Sequence, residues 1–177
     1  MKKSREKEIG FDEEELESVY QIVKDYDERI LNNPEDYHFS DDYDEEPTDK
    51  EIIKSILDKI GKSLSLKNKE LIDKEFLRKK YNFFNNSVDE KVSNIINKAY
   101  EQLRTVEIKY FNMESAEFIK RSVDVYHKSS KYIIGYCHLR EDIRKFRISR
   151  INSAILTKEK YKIPLNFNKD NYQNGKT

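Results

Sequence analysis

The spacing of apolar residues changes period at Arg104, and that change divides the chain into two kinds of structure. Before it, Leu16, Val19, Tyr20, Val23, Tyr26 and Ile30 recur at steps of three and four. The set Ile52, Ile53, Ile56, Leu57 and Ile60 does the same, as does the set Val92, Ile95, Ile96, Ala99, Tyr100 and Leu103. Each is one stripe of an amphipathic helix. After Arg104, Val106, Ile108 and Tyr110 alternate with Glu107 and Lys109, the period-two pattern of a strand with one buried face.

Local signals bound these elements. Asp12 with Glu15 forms a capping pair for a first helix over Phe11–Leu31, which Asn32, Asn33 and Pro34 end. Thr48 caps a second helix, with Gly61 as its stop. A third, basic helix runs through KNKELIDKEFLRKKYNFF, and a fourth from about Asp89 to Arg104. Further strands are predicted at about 117–126, 131–138, 142–149 and 152–157. Their short connections imply an antiparallel meander of five strands. A sheet this small gains stability by curling into a barrel against a helix, and the fourth helix is available. The expected fold is therefore α+β. An acidic helical region over 1–88 precedes a small five-stranded antiparallel barrel domain over 89–167 with its leading helix, and a polar tail occupies 168–177.

Charge and composition narrow the class. The net charge of zero conceals an asymmetry: residues 1–50 hold 7 Lys/Arg against 18 Asp/Glu, and residues 51–177 hold 27 against 16. Opposed fields of −11 and +11 are an argument about partners rather than fold, and the basic part is where an anion would go. No apolar run approaches a membrane span, and MKKSREKEIGFDEEE lacks the apolar core of a signal peptide, so the expected location is the cytoplasm. The single Cys137 excludes a disulfide framework and is expected to be buried.

The most informative stretch is KYIIGYCHLREDIRKFRISRI, residues 131–151. It carries Arg140, Arg144, Arg147 and Arg150 beside Tyr132, Tyr136 and His138. Alternation puts Tyr132, Ile134, Tyr136 and His138 on one face of their strand, with Cys137 on the other. Arg144 shares parity with Phe146 and Ile148, which draws it to the rim of the core, and Arg147 points to the opposite face. Guanidinium forks clamp phosphates in two-point contact and aromatic rings stack on bases, so the composition suits a nucleotide or single-stranded nucleic acid. The alternative is a strand with solvated basic residues.

This segment resembles the signature of WYL domains, small ligand-sensing modules of bacterial transcription regulators. Tyr132 stands at the central tyrosine, and IRKFRISRI resembles the arginine-rich strand. TVEIKYFN and RSVDV resemble the first and second strands, and YKIPLNF the closing segment. Lys131 stands where the family's Trp would be, Ile133 where its Leu would be, and Val125 where Pro is frequent. The resemblance implies an Sm-like or SH3-like barrel that senses a ligand, often nucleic acid, and controls a DNA-binding partner. It carries over Tyr132, His138, Arg140, Arg144, Arg147 and Arg150 as ligand contacts, with Arg121 on the neighbouring strand. The expected site is one hollow in which the guanidinium groups meet beside an aromatic ring.

Other features point away from catalysis and metal binding. The acidic loop DDYDEEPTDKE lacks the glycine of a calcium loop, and His38, His127 and His138 are not at metal-ligand spacing. No nucleophile motif, phosphate loop or dinucleotide fingerprint is present, so the expectation is a binding protein with no cofactor and no enzyme activity. Helices 48–81 are the only candidate for a DNA-binding helix pair, and an autonomous repressor using them is one rival reading. The N-terminal helices are expected instead to form a dimerisation or linker bundle. A second rival is a protein-interaction accessory or inhibitor acting through the acidic N-terminal region.

Overall fold

The computed structural model describes residues 10–28, 50–82 and 88–172. Two compact units emerge, the first ending at Asp73 and the second beginning at Lys74. Among the described residues no helix is long and apolar enough to cross a membrane.

The first unit contains α1 (Glu13–Tyr26), α2 (Lys50–Ser63) and the start of α3 (Leu66–Asn82). Asp12 and Glu15 close the predicted capping box, each side chain accepting from the other's backbone N–H at 2.9 Å. Two expectations for α2 are corrected. The helix runs through Gly61 to Ser63, and the Tyr20 ring and the Lys69 stem lie close to the Gly61 backbone, where a Cβ would crowd them. Ile52, expected inward, is 53% exposed, and Ile53 holds the buried position. The Asn32–Pro34 stop, the Thr48 cap and nearly all of the acidic loop lie outside the described residues.

Asp73 ties this unit together. Its carboxylate accepts from the Tyr20 hydroxyl at 3.0 Å, and from Lys24 Nζ and Lys69 Nζ at 2.7 Å each. Burial pushes the carboxyl pKa up, but hydrogen bonds from Lys24 and Lys69 outweigh it and hold the group below its usual 3.8. A depressed folded pKa contributes stability above the unfolded value and loses it as pH falls through the folded one. Asp73→Asn is therefore expected to cost about 1–2 kcal/mol at neutral pH, the range of partly exposed charged hydrogen bonds. In thermal melts followed by circular dichroism, the gap from wild type should close well below pH 4. A gap that persists unchanged at that acidity would show that the charge of Asp73 is not what matters.

The second unit holds the end of α3, then α4 (Glu90–Gln102), β1 (Arg104–Asn112), β2 (Glu117–Lys128), β3 (Tyr132–Cys137), β4 (Asp142–Arg147) and β5 (Ile151–Lys160). Asp89 caps α4, accepting from the N–H groups of Lys91 and Val92. Leu103 takes a left-handed conformation that ends the helix and feeds β1 directly. All ladders are antiparallel, in the order β4-β3-β2-β1-β5. A 3-10 turn, Ile148–Arg150, joins the two edge strands. The ladders leave β4 and β5 as edges, so hydrogen bonding among the described residues does not close the five-stranded antiparallel sheet.

The core lies between α4 and one face of this sheet. Val92, Ile96 and Ala99 of α4 meet Val106, Ile108, Val123, Val125, Ile133, Cys137 and Phe146. Of the residues expected inward on α4, Tyr100 and Leu103 are partly exposed instead. The other sheet face holds a smaller cluster, where the Tyr81 ring stacks on Phe111 at 4.5 Å and meets the edge of Phe118 at 5.5 Å.

Candidate functional site

The strand registers divide the predicted site residues between the two faces of the sheet. Arg144 faces Gly135, whereas Arg147 faces Tyr132. Arg121 shares the core-bearing face with Val123 and Val125 on β2. The hollow in which all the arginines meet is therefore not formed, since successive residues of a strand point to opposite sides.

On the core-bearing face, Arg121 and Arg144 bracket one rung of the sheet. Cys137 and Asp142 face each other across the β3–β4 ladder. Arg121 Nη1 lies 3.8 Å from Cys137 Sγ, and Arg144 Nε lies 3.4 Å from Asp142 Oδ2. Neither Arg121 Nε nor Arg144 Nε has a hydrogen-bond partner, although both atoms are buried. The Arg144–Asp142 approach is thus close enough to be an ion pair but not aligned as a hydrogen bond, and it is partly exposed, so it adds little. Arg121 is only 8% exposed, and no carboxylate pairs with it among the described residues.

On the opposite face the Lys145 ammonium stands 4.2 Å from the centre of the Tyr132 ring. Alternation places Lys145 two residues from Arg147 on the same side, a signal present in the sequence that the arginine count obscured. His138 is 44% exposed on its side chain and puts Nε2 3.0 Å from Asp124 Oδ1. Thr105 Oγ1 donates to the same oxygen at 2.6 Å, and the Tyr136 and His138 rings meet edge to face at 5.3 Å. Thr105 and Asp124 were invisible as partners because they lie on two different strands. Burial pushes the Tyr126 and Tyr161 hydroxyls up, with nearby Asp124 adding to it, and Tyr161 donates to Val125 O.

The remaining predicted residues lie elsewhere. Arg140 is exposed in the β3–β4 turn. Arg147 is 8% exposed, and Arg150 lies in the 3-10 turn. Both donate to the end of α3, Arg147 Nη1 to Asn82 O at 3.3 Å and Arg150 Nε to Tyr81 O at 3.4 Å. Away from all of these, Gln102, Arg104, Lys158 and Lys160 line an open basic depression, where Arg104 already donates to Thr157 O and Gln102 Oε1. Among the described residues no group of three His, Cys, Asp or Glu could hold a metal ion.

Residues 91–156 match the family model described as the WYL domain. Among solved structures, the chain is similar to Proteasome accessory factor B/C (PafBC) of Arthrobacter aurescens, at 19% sequence identity and a TM-score of 0.35. That match covers 86% of this chain and 21% of the other, so this chain spans about a fifth of its length. Comparison with curated proteins finds no match.

Proposed function

With a WYL domain spanning residues 91–156 as the premise, we propose that this chain is a regulatory protein, a binding module rather than an enzyme, whose sheet takes an anionic nucleic-acid ligand. The observation that carries this reading is Arg121. Removing a guanidinium from water without a counter-charge costs several kcal/mol. A phosphate relieves that cost with charge-assisted, two-point contact, and Arg144 supplies a second cation on the same face.

A strand is favoured over a mononucleotide. The arginines facing the core and the rings of Tyr132, Tyr136 and His138 lie on opposite sides of the sheet, so phosphates and stacked bases reach both only if the ligand passes over the β4 edge. The reading includes cytoplasmic action, curling of the sheet into an Sm-like or SH3-like barrel, and pairing of two copies through the N-terminal helices. Its output is a shift of the helical region between arrangements on binding, which needs a ligand with different affinity for the two.

Fluorescence anisotropy with a labelled oligothymidylate tests it. Arg121→Ala plus Arg144→Ala is expected to weaken binding at least about tenfold, a loss of roughly 1.4 kcal/mol. The salt dependence should also flatten, because fewer phosphates are neutralised. Unchanged affinity together with an unchanged salt slope would remove the arginines from the site.

A further inference from the structure

Arg147 and Arg150 are two arginines that this anion site leaves unused, and both hold the same helix end. The last carbonyls of a helix have no partners within it and carry the negative end of its dipole. Guanidinium groups donating to Asn82 O and Tyr81 O therefore act as a C-terminal cap supplied from the sheet. The same turn of α3 is held at two further points. Arg78 donates to Met113 O and Glu114 O in the β1–β2 turn, and Tyr81 stacks on Phe111.

The strand that supplies Arg147 also supplies Arg144. The two point to opposite faces of β4, one toward the anion site and one toward α3. β4 is an edge strand bonded to β3 alone, so no second ladder resists its displacement. Arg150 follows in the 3-10 turn, whose Ile148 N–H donates to Lys131 O at 2.9 Å. A shift of β4 therefore pulls on both capping groups together.

We propose that Arg147 and Arg150 are positioning residues that couple an anion held at Arg121 and Arg144 to the C-terminal turn of α3, with the edge strand β4 as the lever. The proposal rests on the anion-binding reading above. α3 is one helix from Leu66 to Asn82, so a change at its last turn acts on an element that also supplies residues to the first unit. Coupling of this kind is reciprocal: if the ligand alters the clamp, weakening the clamp alters the ligand's affinity by the same factor.

Hydrogen exchange read by mass spectrometry on the full chain, with and without oligothymidylate, tests it. In the wild type, adding the oligonucleotide should change exchange over residues 74–82. In Arg147→Ala plus Arg150→Ala, ligand-free exchange there should rise while β2 and β3 keep wild-type protection. The ligand-induced change should vanish, and the oligothymidylate Kd should move by about fivefold or more. Arg150→Lys, which keeps a donor, should stay near wild type in both readings. A purely structural cap predicts faster ligand-free exchange with Kd and the ligand-induced change intact, and that result would overturn the coupling alone. Absence of oligothymidylate binding by the wild type would overturn both the coupling and the reading on which it rests.

Discussion

Gly135→Ala is expected to unfold the sheet under conditions in which the wild type is folded. A Cβ at this position would stand 2.1 Å from Asp124 O, 2.9 Å from the Asp124 carbonyl carbon and 3.1 Å from Val123 Cγ1. The obstacle is the backbone of the neighbouring strand, so no side-chain rotation relieves it. β2 and β3 must separate where β2 already carries an irregularity between Val125 and His127. Separation also pulls Asp124 away from Thr105 and His138. Overpacking of a rigid core costs about 1–3 kcal/mol and sometimes more, and a backbone obstacle belongs at the upper end. For a unit near 100 residues, a loss of about 3 kcal/mol lowers the thermal midpoint by more than about 10 °C. Circular dichroism melts of the variant and wild type measure it. A midpoint within about 2 °C of wild type would mean that the strands part freely at this point.

Why Gly135 matters was not legible in KYIIGYC, because the atom it must avoid belongs to another strand. What alternation does expose is which side of the sheet a residue takes. Arg144 toward the core, Arg147 away from it and Cys137 inside all follow from counting by two, and the ladder has them so. Counting by two also puts Arg121 on the side of Val123 and Val125. The burial of Arg147 is another matter. It depends on Tyr81 and Asn82, which lie 65 residues or more upstream and cover the second face of the sheet only after the chain has folded. A local pattern describes one strand and carries no information about what packs on its outer side. Gly61 fails for the converse reason: the local rule reads glycine as a stop, and the close approach of Tyr20 makes it an interior contact.

The same limit shaped the expectation of a single arginine hollow. Four arginines within eleven residues read as one cluster, yet a strand separates neighbours by face and a 3-10 turn redirects the last of them. The outcome is a division of labour along one edge of the sheet. Of the four, Arg144 lies at the core rim with its Nε unbonded, Arg147 and Arg150 are committed to helix carbonyls, and Arg140 is exposed in the β3–β4 turn. Arginine is well suited to both tasks, since its fork keeps its charge when buried and can donate in several directions.

Arg121→Met is expected to make the folded protein more stable while removing its ligand. Arg121 sits among Val123, Ile108 and Cys137, with a sulfur atom 3.8 Å from its Nη1 as acceptor and an Nε that meets none. A buried charge in that position is a liability to the unliganded fold, and methionine fills a similar volume without it. Replacing buried charged groups by well-packed apolar ones is commonly neutral or stabilising by about 1–4 kcal/mol. The midpoint of urea unfolding should therefore rise or hold, where a structural arginine would make it fall. Anisotropy on the same sample should show oligothymidylate affinity reduced at least about tenfold. In the wild type, saturating oligothymidylate should raise the unfolding midpoint, since a ligand bound only to the native state stabilises it, and in Arg121→Met that rise should disappear. A variant that melts earlier and binds as well as wild type would show that the guanidinium supports the core and holds no anion. Opposite signs for stability and binding at one residue are what separate a site held ready for a ligand from a side chain that is part of the scaffold.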